Sequence, residues 1–315
     1  MGYTFKKITF PRSKPVEIQK ATPEALVLQK LRAFLDVKEP ELVYFLVNLW
    51  KAQGKAITYK ELREAILAGE ISSELIDEWM KDYTRFVKTH LYPQWIAAME
   101  AAAEEIRQKY PEWYFDPMGD GVQAWAEHRG AQFVTNVTGT QVQGLRAVIH
   151  RAAVLEDINV DTLARAIRPM VGLYWQQSVA NMNYFESLIK NGTHERRALD
   201  LATRYAARQH RYRGYLIART ELGFAFNQGS YEGIKQAQQA GYMGEVVKIW
   251  CTADDERTCE ICGGLEGKRI AMDEEFDFKT KLSSLQYPTI RRVPPAHPSC
   301  RCTVMYEEVS EPKMR

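Results

Sequence analysis

Four of the chain's five cysteines stand in two short pairs toward its C-terminal end, Cys259-x-x-Cys262 and Cys300-Arg301-Cys302, and His297 lies three residues ahead of the second pair. Thiolates and imidazole are the donors that a closed tetrahedral zinc site takes, and two such pairs flanking a long insertion can pin it shut. A segment stapled in this way needs less apolar core, because metal-binding energy becomes folding energy. Cys259, Cys262, His297 and Cys300 make one set of three sulfurs and a nitrogen; Cys302 in place of His297 makes an all-sulfur set. Reduced, unligated thiols and a Cys262–Cys300 disulfide are the competing readings. The insertion, Gly263 to Ala296, is longer than in compact zinc fingers and is expected to hold structure of its own, such as a hairpin. Pro294, Pro295 and Pro298 stiffen its return. Cys251 follows the strand-like Val246-Val247-Lys248-Ile249-Trp250 and reads as a buried packing residue.

A chain of 315 residues with 45% apolar side chains has material for real cores and for two or three domains. Its formal net charge is only +2, so any basic surface is local. No apolar run reaches membrane-spanning length, and the first residues, Met1-Gly2-Tyr3-Thr4-Phe5-Lys6-Lys7, lack the apolar stretch of a signal peptide. These features predict folding in a reducing cytosol, where clustered cysteines are metal ligands more often than disulfides.

Outside the cysteine region the pattern is helical. Thr22-Pro23-Glu24 reads as a helix start, and apolar residues recur at helical steps through Leu42, Phe45, Leu46 and Leu49 to Gly54. Thr58-Tyr59-Lys60-Glu61 fits a capping box for a short helix closed by Gly69. A long helix from Ser73 carries Ile76, Trp79, Tyr83, Phe86 and His90, with Pro93 as a kink before Ala97 to Tyr110. Pro111 to Gly121 is a break. Further helices are predicted from Thr138 or Thr140 to about Leu155, from Asp161 to Pro169, from Gln176 to Ile189, and, as one or two pieces, from Glu195 to Ala240. Strand-like character appears only at Val246 to Thr252 and at Thr303 to Tyr306. The expected fold is mainly α: a long helical body followed by a small, zinc-stapled C-terminal α+β module. The expected division is an extended arm at 1–20, helical regions at 21–112 and 113–194, a domain at 195–306 carrying the cysteines, and a tail at 307–315.

Two further constellations lie on the 195–240 segment. Arg197, Arg204, Arg208 and Arg211 step by seven, four and three and so share one helix face. Leu201, Tyr205, Tyr212 and Leu216 fall on an adjacent face that reads as core-facing, and Arg196, His210 and Arg213 add basic character. Such a stripe suits phosphate backbones or an acidic protein surface, or is a solvated helix face. The second constellation, Arg219, Thr220 and Glu221 with Asn227 two turns on, reads as a buried, hydrogen-bonded polar patch. Catalytic zinc has little to build on. There is no H-x-E, no H-E-x-x-H, and no histidine between 211 and 296.

The order and spacing of these segments resemble the phage Mu F-like family of head morphogenesis proteins, also called minor head or minor capsid proteins. The resemblance rests on Ile217-Ala218-Arg219-Thr220-Glu221 with Ala225, Asn227 and Gly229, on Asp255-Glu256-Arg257-Thr258-Cys259-Glu260-Ile261-Cys262 with Leu265 and Gly267, and on Pro294-Pro295-Ala296-His297-Pro298-Ser299-Cys300-Arg301-Cys302. It covers roughly 195 to 306 and extends, on weaker likeness, over the helices from Trp125 to Ile189. Cys262, His297 and Cys300 are the more typical elements of the family, and Cys259 is particular to this chain. The resemblance implies a virion protein of few copies inside the head near the portal vertex, met in the host cytoplasm during assembly. Its implied partners are the portal protein or the major capsid protein, with packaged double-stranded DNA as a further contact. It implies assembly rather than enzymatic work.

Overall fold

The computed structural model describes residues 22–155, 157–253, 255–256, 258–277 and 290–310. The expected arm at 1–20 and the end of the expected tail, 311–315, lie outside the described residues, as does Arg257 of the motif. Helix α1, Pro23–Ala56, opens as its sequence reads, with the Thr22 hydroxyl accepting from Ala25 N at 3.3 Å and Pro23 at the first turn, where no donor is needed. It buries Leu28, Leu31, Leu35, Leu42, Leu46 and Trp50 along one stripe. Helix α2, Tyr59–Ala68, carries the capping box: Glu61 N donates to Thr58 Oγ1 at 3.1 Å and Thr58 N to Glu61 Oε2 at 2.7 Å. Helix α3, Ser73–Phe86, passes through a π turn, Val87–Leu91, into α4, Tyr92–Lys109, so Pro93 follows the π turn within one unbroken helical run.

Helix α5 spans Asp120–Ala153, beginning well before the expected start at Thr138 or Thr140. Its early core stripe is Val122, Ala126, Gly130, Phe133 and Val137. Small residues in that stripe make the helical period faint in the sequence while letting neighbouring helices come close. Helix α6, Val160–Ile167, ends in a 3-10 turn at Arg168–Met170, where Pro169 stops the α-helical ladder. Helix α7 covers Trp175–Lys190 and α8 Glu195–Gln239, a single rod of 45 residues, about 67 Å long. The rod packs against α1, α4 and α7 and forms the axis of the molecule.

The core-facing line of α8 departs from expectation. Ala198, Ala202 and Ala206 face inward, followed by His210, Arg213 and Gly214, while Tyr212 is 53% exposed. The alanines let the rod approach α7 closely. His210 and Arg213 are accommodated because the turn after α6 offers carbonyls: His210 Nε2 donates to Val171 O at 2.8 Å, and the Arg213 guanidinium donates to Gly172 O and, at 2.7 Å, to Thr140 Oγ1. Gly172 itself has φ +93° and lies flat against the Trp50 indole, where a Cβ would overlap the ring. A buried chain of hydrogen bonds continues from there. Trp50 Nε1 donates to Tyr83 OH at 2.8 Å, Tyr83 OH to Gln141 Oε1, and Gln141 Nε2 to Gln53 Oε1 at 3.3 Å.

The C-terminal module contains β1, Val246–Cys251, the one-turn helix α9, Glu260–Gly263, and the strands β2, Arg269–Ala271, β3, Phe276–Asp277, β4, Ile290–Arg291, and β5, Thr303–Glu308. β1 is the middle strand of an antiparallel sheet ordered β2-β1-β5, with Lys248 opposite Ile270 on one side and Tyr306 on the other. β3 and β4 form a second antiparallel pair, the structure expected within the insertion. Cys251 is 1% exposed, and burial pushes its thiol up to about 12, as suits a packing residue. A second core forms where α4 and α8 meet the module: Ile106, Trp113, Tyr231 and Ile234 pack with Trp250, Leu265, Phe276 and Val304.

Candidate metal centre

The two halves of the cysteine pattern converge. Helix α9 is a single turn with Cys259 as its N-cap, closed by Gly263 N donating to Cys259 O at 2.8 Å, so residues three apart present both sulfurs to one side. The return segment, Val293–Cys302, brings His297, Cys300 and Cys302 to the same place. His297 Nε2 lies 3.2 Å from Cys259 Sγ and 3.3 Å from Cys262 Sγ, and Cys262 Sγ lies 3.7 Å from Cys300 Sγ. The donors fall into two overlapping triads, Cys259–Cys262–His297 and Cys262–Cys300–Cys302, with donor atoms in each within 4.8 Å of one another and Cys262 common to both. All five cysteines are free thiols, and Cys262, Cys300 and Cys302 are buried. The centre therefore offers five donors, and both alternatives for the fourth ligand, His297 and Cys302, are within reach.

Several features fit these residues to an ion. His297 Nδ1 lies 2.9 Å from Pro298 O. A carbonyl can only accept, so Nδ1 carries the proton and Nε2 presents its lone pair to the sulfurs, as a metal-ligating histidine requires. Among the sulfurs, hydrogen bonds from Cys262 and Cys302 hold the Cys300 thiol well below the usual range, while the contact with Cys300 pushes Cys262 up. Arg301, between two of the sulfurs, points away from them. Its guanidinium makes two 2.7 Å bonds to the Asp255 carboxylate, lashing the approach to Cys259 to the Cys300–Cys302 segment. Cys259, Cys262, Cys300 and either His297 or Cys302 would hold a soft cation such as zinc, which supplies a cross-link between α9 and the return segment.

The polar motif on α8 lies beside this centre. Thr220 Oγ1 accepts from Ser299 N at 3.0 Å, and Asn227 Oδ1 accepts from Thr303 Oγ1 at 2.9 Å and from Val304 N at 3.3 Å. Arg219 and Glu221 turn away into the body. Arg219 forms a two-pronged pair with Glu39 of α1, at 2.6 and 3.0 Å, and Glu221 one with Arg129 of α5, at 2.9 and 2.5 Å. Glu39 is 3% exposed; desolvation pushes its carboxyl up, against the pull of Arg219. Nothing local in the sequence marks Glu39 or Arg129 as these partners, which lie 180 and 92 residues away. Asp255 and Ser299 sit inside the motifs, but only the fold shows what they bind.

Arg197, Arg204, Arg208 and Arg211 are all exposed and lie nine or more residues before Thr220 on the rod. Arg197 and Arg204 share Asp200, at 3.5 and 3.1 Å. Arg208 lies over the Tyr205 ring, 5.5 Å from its centroid. Gln177 Nε2 donates to Gln209 O at 3.2 Å and sets the first turn of α7, with Trp175 51% exposed, against this part of the rod.

Residues 151–305 match the model of the family described as Phage Mu protein F like protein. This half of the chain is Mu F-like. The matched stretch takes in α6, α7, the whole of α8 and nearly all of the module, so it contains all five donors and the polar motif. It supports a role in head morphogenesis of a bacteriophage. No curated protein and no solved structure matches the chain. Among the described residues, no helix is long and apolar enough to cross a membrane.

Proposed function

We propose that the chain is a minor head protein of a tailed bacteriophage, docking at the portal vertex or on the inner capsid and acting in assembly without catalysis. The observation that carries this reading is the Mu F-like match over 151–305, which coincides with the rod and with the module that carries the five clustered donors. The metal, zinc by the softness of its donors, is assigned a structural role, because the protein supplies more donors than a tetrahedral ion takes. The rod offers a long surface to the portal protein or the major capsid protein, and the module is a rigid end piece. The test is location: in purified particles, tagged protein should be found inside the head at a single vertex. Protein spread over the outer surface, or missing from particles, would overturn the proposal.

The exposed arginine face favours a second reading, contact with packaged double-stranded DNA. Arg197, Arg204, Arg208 and Arg211 lie within an arc of about 60° on α8, by helix geometry, with the exposed rings of Tyr212 and Trp175 beside them. Duplex binding through this face should weaken steeply with salt and collapse in Arg204→Glu/Arg208→Glu/Arg211→Glu. Docking on a protein surface should instead persist at moderate salt with little affinity for free duplex.

A further inference from the structure

Between His297 and Cys300 the chain makes a turn that it has little reason of its own to adopt. Ser299 has φ +60°, the left-handed region, which a residue with a side chain adopts only at a cost. Its hydroxyl does not offset this: Ser299 Oγ is buried and has no hydrogen-bond partner among the described residues. Within the turn, Cys300 N donates to His297 O at 3.1 Å. The turn's tie to the body is Ser299 N, donating to Thr220 Oγ1 at 3.0 Å. The Thr220 hydroxyl has one proton, and it goes to Leu216 O at 2.7 Å. Toward Ser299 that oxygen can therefore only accept, which is what the amide needs.

The neighbours of Thr220 explain why it faces the turn. Arg219 is bonded to Glu39 on α1 and Glu221 to Arg129 on α5. Ion pairs on either side of Thr220 fix the rotation of the rod and leave the hydroxyl aimed at the module. Two turns further along, Asn227, 0% exposed, holds the start of β5 through Thr303 and Val304. The rod thus grips the donor-bearing segment just before Cys300 and just after Cys302.

We infer that Thr220 is a positioning residue of the metal centre: its hydroxyl holds Ser299 in the left-handed turn that brings His297 and Cys300 together onto the Cys259–Cys262 sulfurs. This rests on the structural-metal reading above. The test uses the full chain with zinc and, as a spectroscopic probe, cobalt(II). Thr220→Val keeps the shape and removes the acceptor, while Thr220→Ser keeps the acceptor. Thr220→Val is expected to bind zinc about 10–100-fold more weakly in chelator competition, the usual effect of losing an outer partner. Its cobalt–thiolate absorption should change while helix content stays at the wild-type level. Thr220→Ser should restore both affinity and spectrum. Wild-type affinity with an unchanged spectrum in Thr220→Val overturns the inference, as does a serine variant as weak as the valine one. A wild-type chain that takes up no metal removes the underlying reading and this inference with it. Should Thr220→Val not fold, amide exchange in the metal-loaded wild type decides: protection of the Ser299 amide supports the bond to Thr220, and its absence overturns it.

Discussion

The helical body buries Trp50, Trp79, Tyr83 and Trp95 to 2% exposure or less, along helices that contact one another over many turns. Among the described residues the module's own fully buried rings are Trp250 and Phe276, edge to face with centroids 5.0 Å apart, and beside them it buries a lysine. Lys248 is 0% exposed; its Nζ donates to Met272 O at 2.8 Å and to Glu274 O at 2.5 Å, and desolvation pushes it down to about 8. The body has enough apolar surface to hold its buried polar groups in place. The module, with short strands and much turn, packs its apolar residues on the flanks of α4 and α8 and brings donor atoms from two segments together. The difference teaches where stability resides. In the body it is spread over side chains far apart in sequence; in the module, on the metal reading proposed above, the converging donors would add to a small core shared with α4 and α8.

Removing metal should therefore separate the two regions, and this is the largest expected effect. Structural zinc is worth about 10–16 kcal/mol in zinc-finger peptides, comparable to the whole stability of a domain, about 5–15 kcal/mol. Cys262→Ser or Cys300→Ser is expected to leave residues 245–306 open to protease while α1 to α8 remain folded, read by limited proteolysis and far-ultraviolet dichroism. A protease-resistant module in both variants would break the comparison.

The next effect lies in the body. Arg219→Ala strands the Glu39 carboxylate in a buried site, and breaking a buried pair costs about 3–5 kcal/mol. Denaturant unfolding should show that loss, and Glu39→Leu/Arg219→Leu should recover much of it, since a packed apolar pair needs no compensating charge. Zinc content at native conditions should stay near the wild-type level, because the Glu221–Arg129 pair still sets the rotation of the rod at Thr220. A parallel fall in zinc content would show that the body and the module do not divide as described.

How much of this was legible in the sequence follows the same division. The Pro23 start, the capping box at Thr58–Glu61 and the Gly69 stop are local signals, and the structure places helix ends there because local hydrogen bonds decide them. The soft donors were legible because metal chemistry demands particular residue types at short spacing. Their overlap, with Cys262 shared by both triads, was not, because it depends on how the Ser299 turn folds back. The start of α5 was hidden by the small residues Ala126 and Gly130 in its core stripe. The inward face of α8 was misread because alanines and a buried Arg213 stood where large apolar residues were expected, and what makes Arg213 tolerable is a carbonyl of Gly172, 41 residues away.

The smallest effect is a pH dependence that belongs to the body alone. His210 is 6% exposed, its Nε2–H bonded to Val171 O, and burial pushes it down from its ordinary 6.5 to about 4. Between these values the unfolded chain binds a proton that the folded chain does not. The contribution is therefore complete above about pH 6.5 and is lost as the pH falls toward about 4, where both states become protonated and the loss levels off. At 1.36 kcal/mol per pH unit the ceiling is about 3 kcal/mol. Acid also protonates the sulfurs and releases metal, so the two regions have to be read separately. Denaturant midpoints followed by helical dichroism, in the presence of chelator, report the body. Under those conditions His210→Gln, whose amide can donate to Val171 O without titrating, should show a flatter decline between pH 6.5 and 4 than the wild type. An identical slope in the two proteins would mean that His210 is not the group that makes the body acid-sensitive, and that its burial at the turn after α6 is compensated by contacts other than the one to Val171.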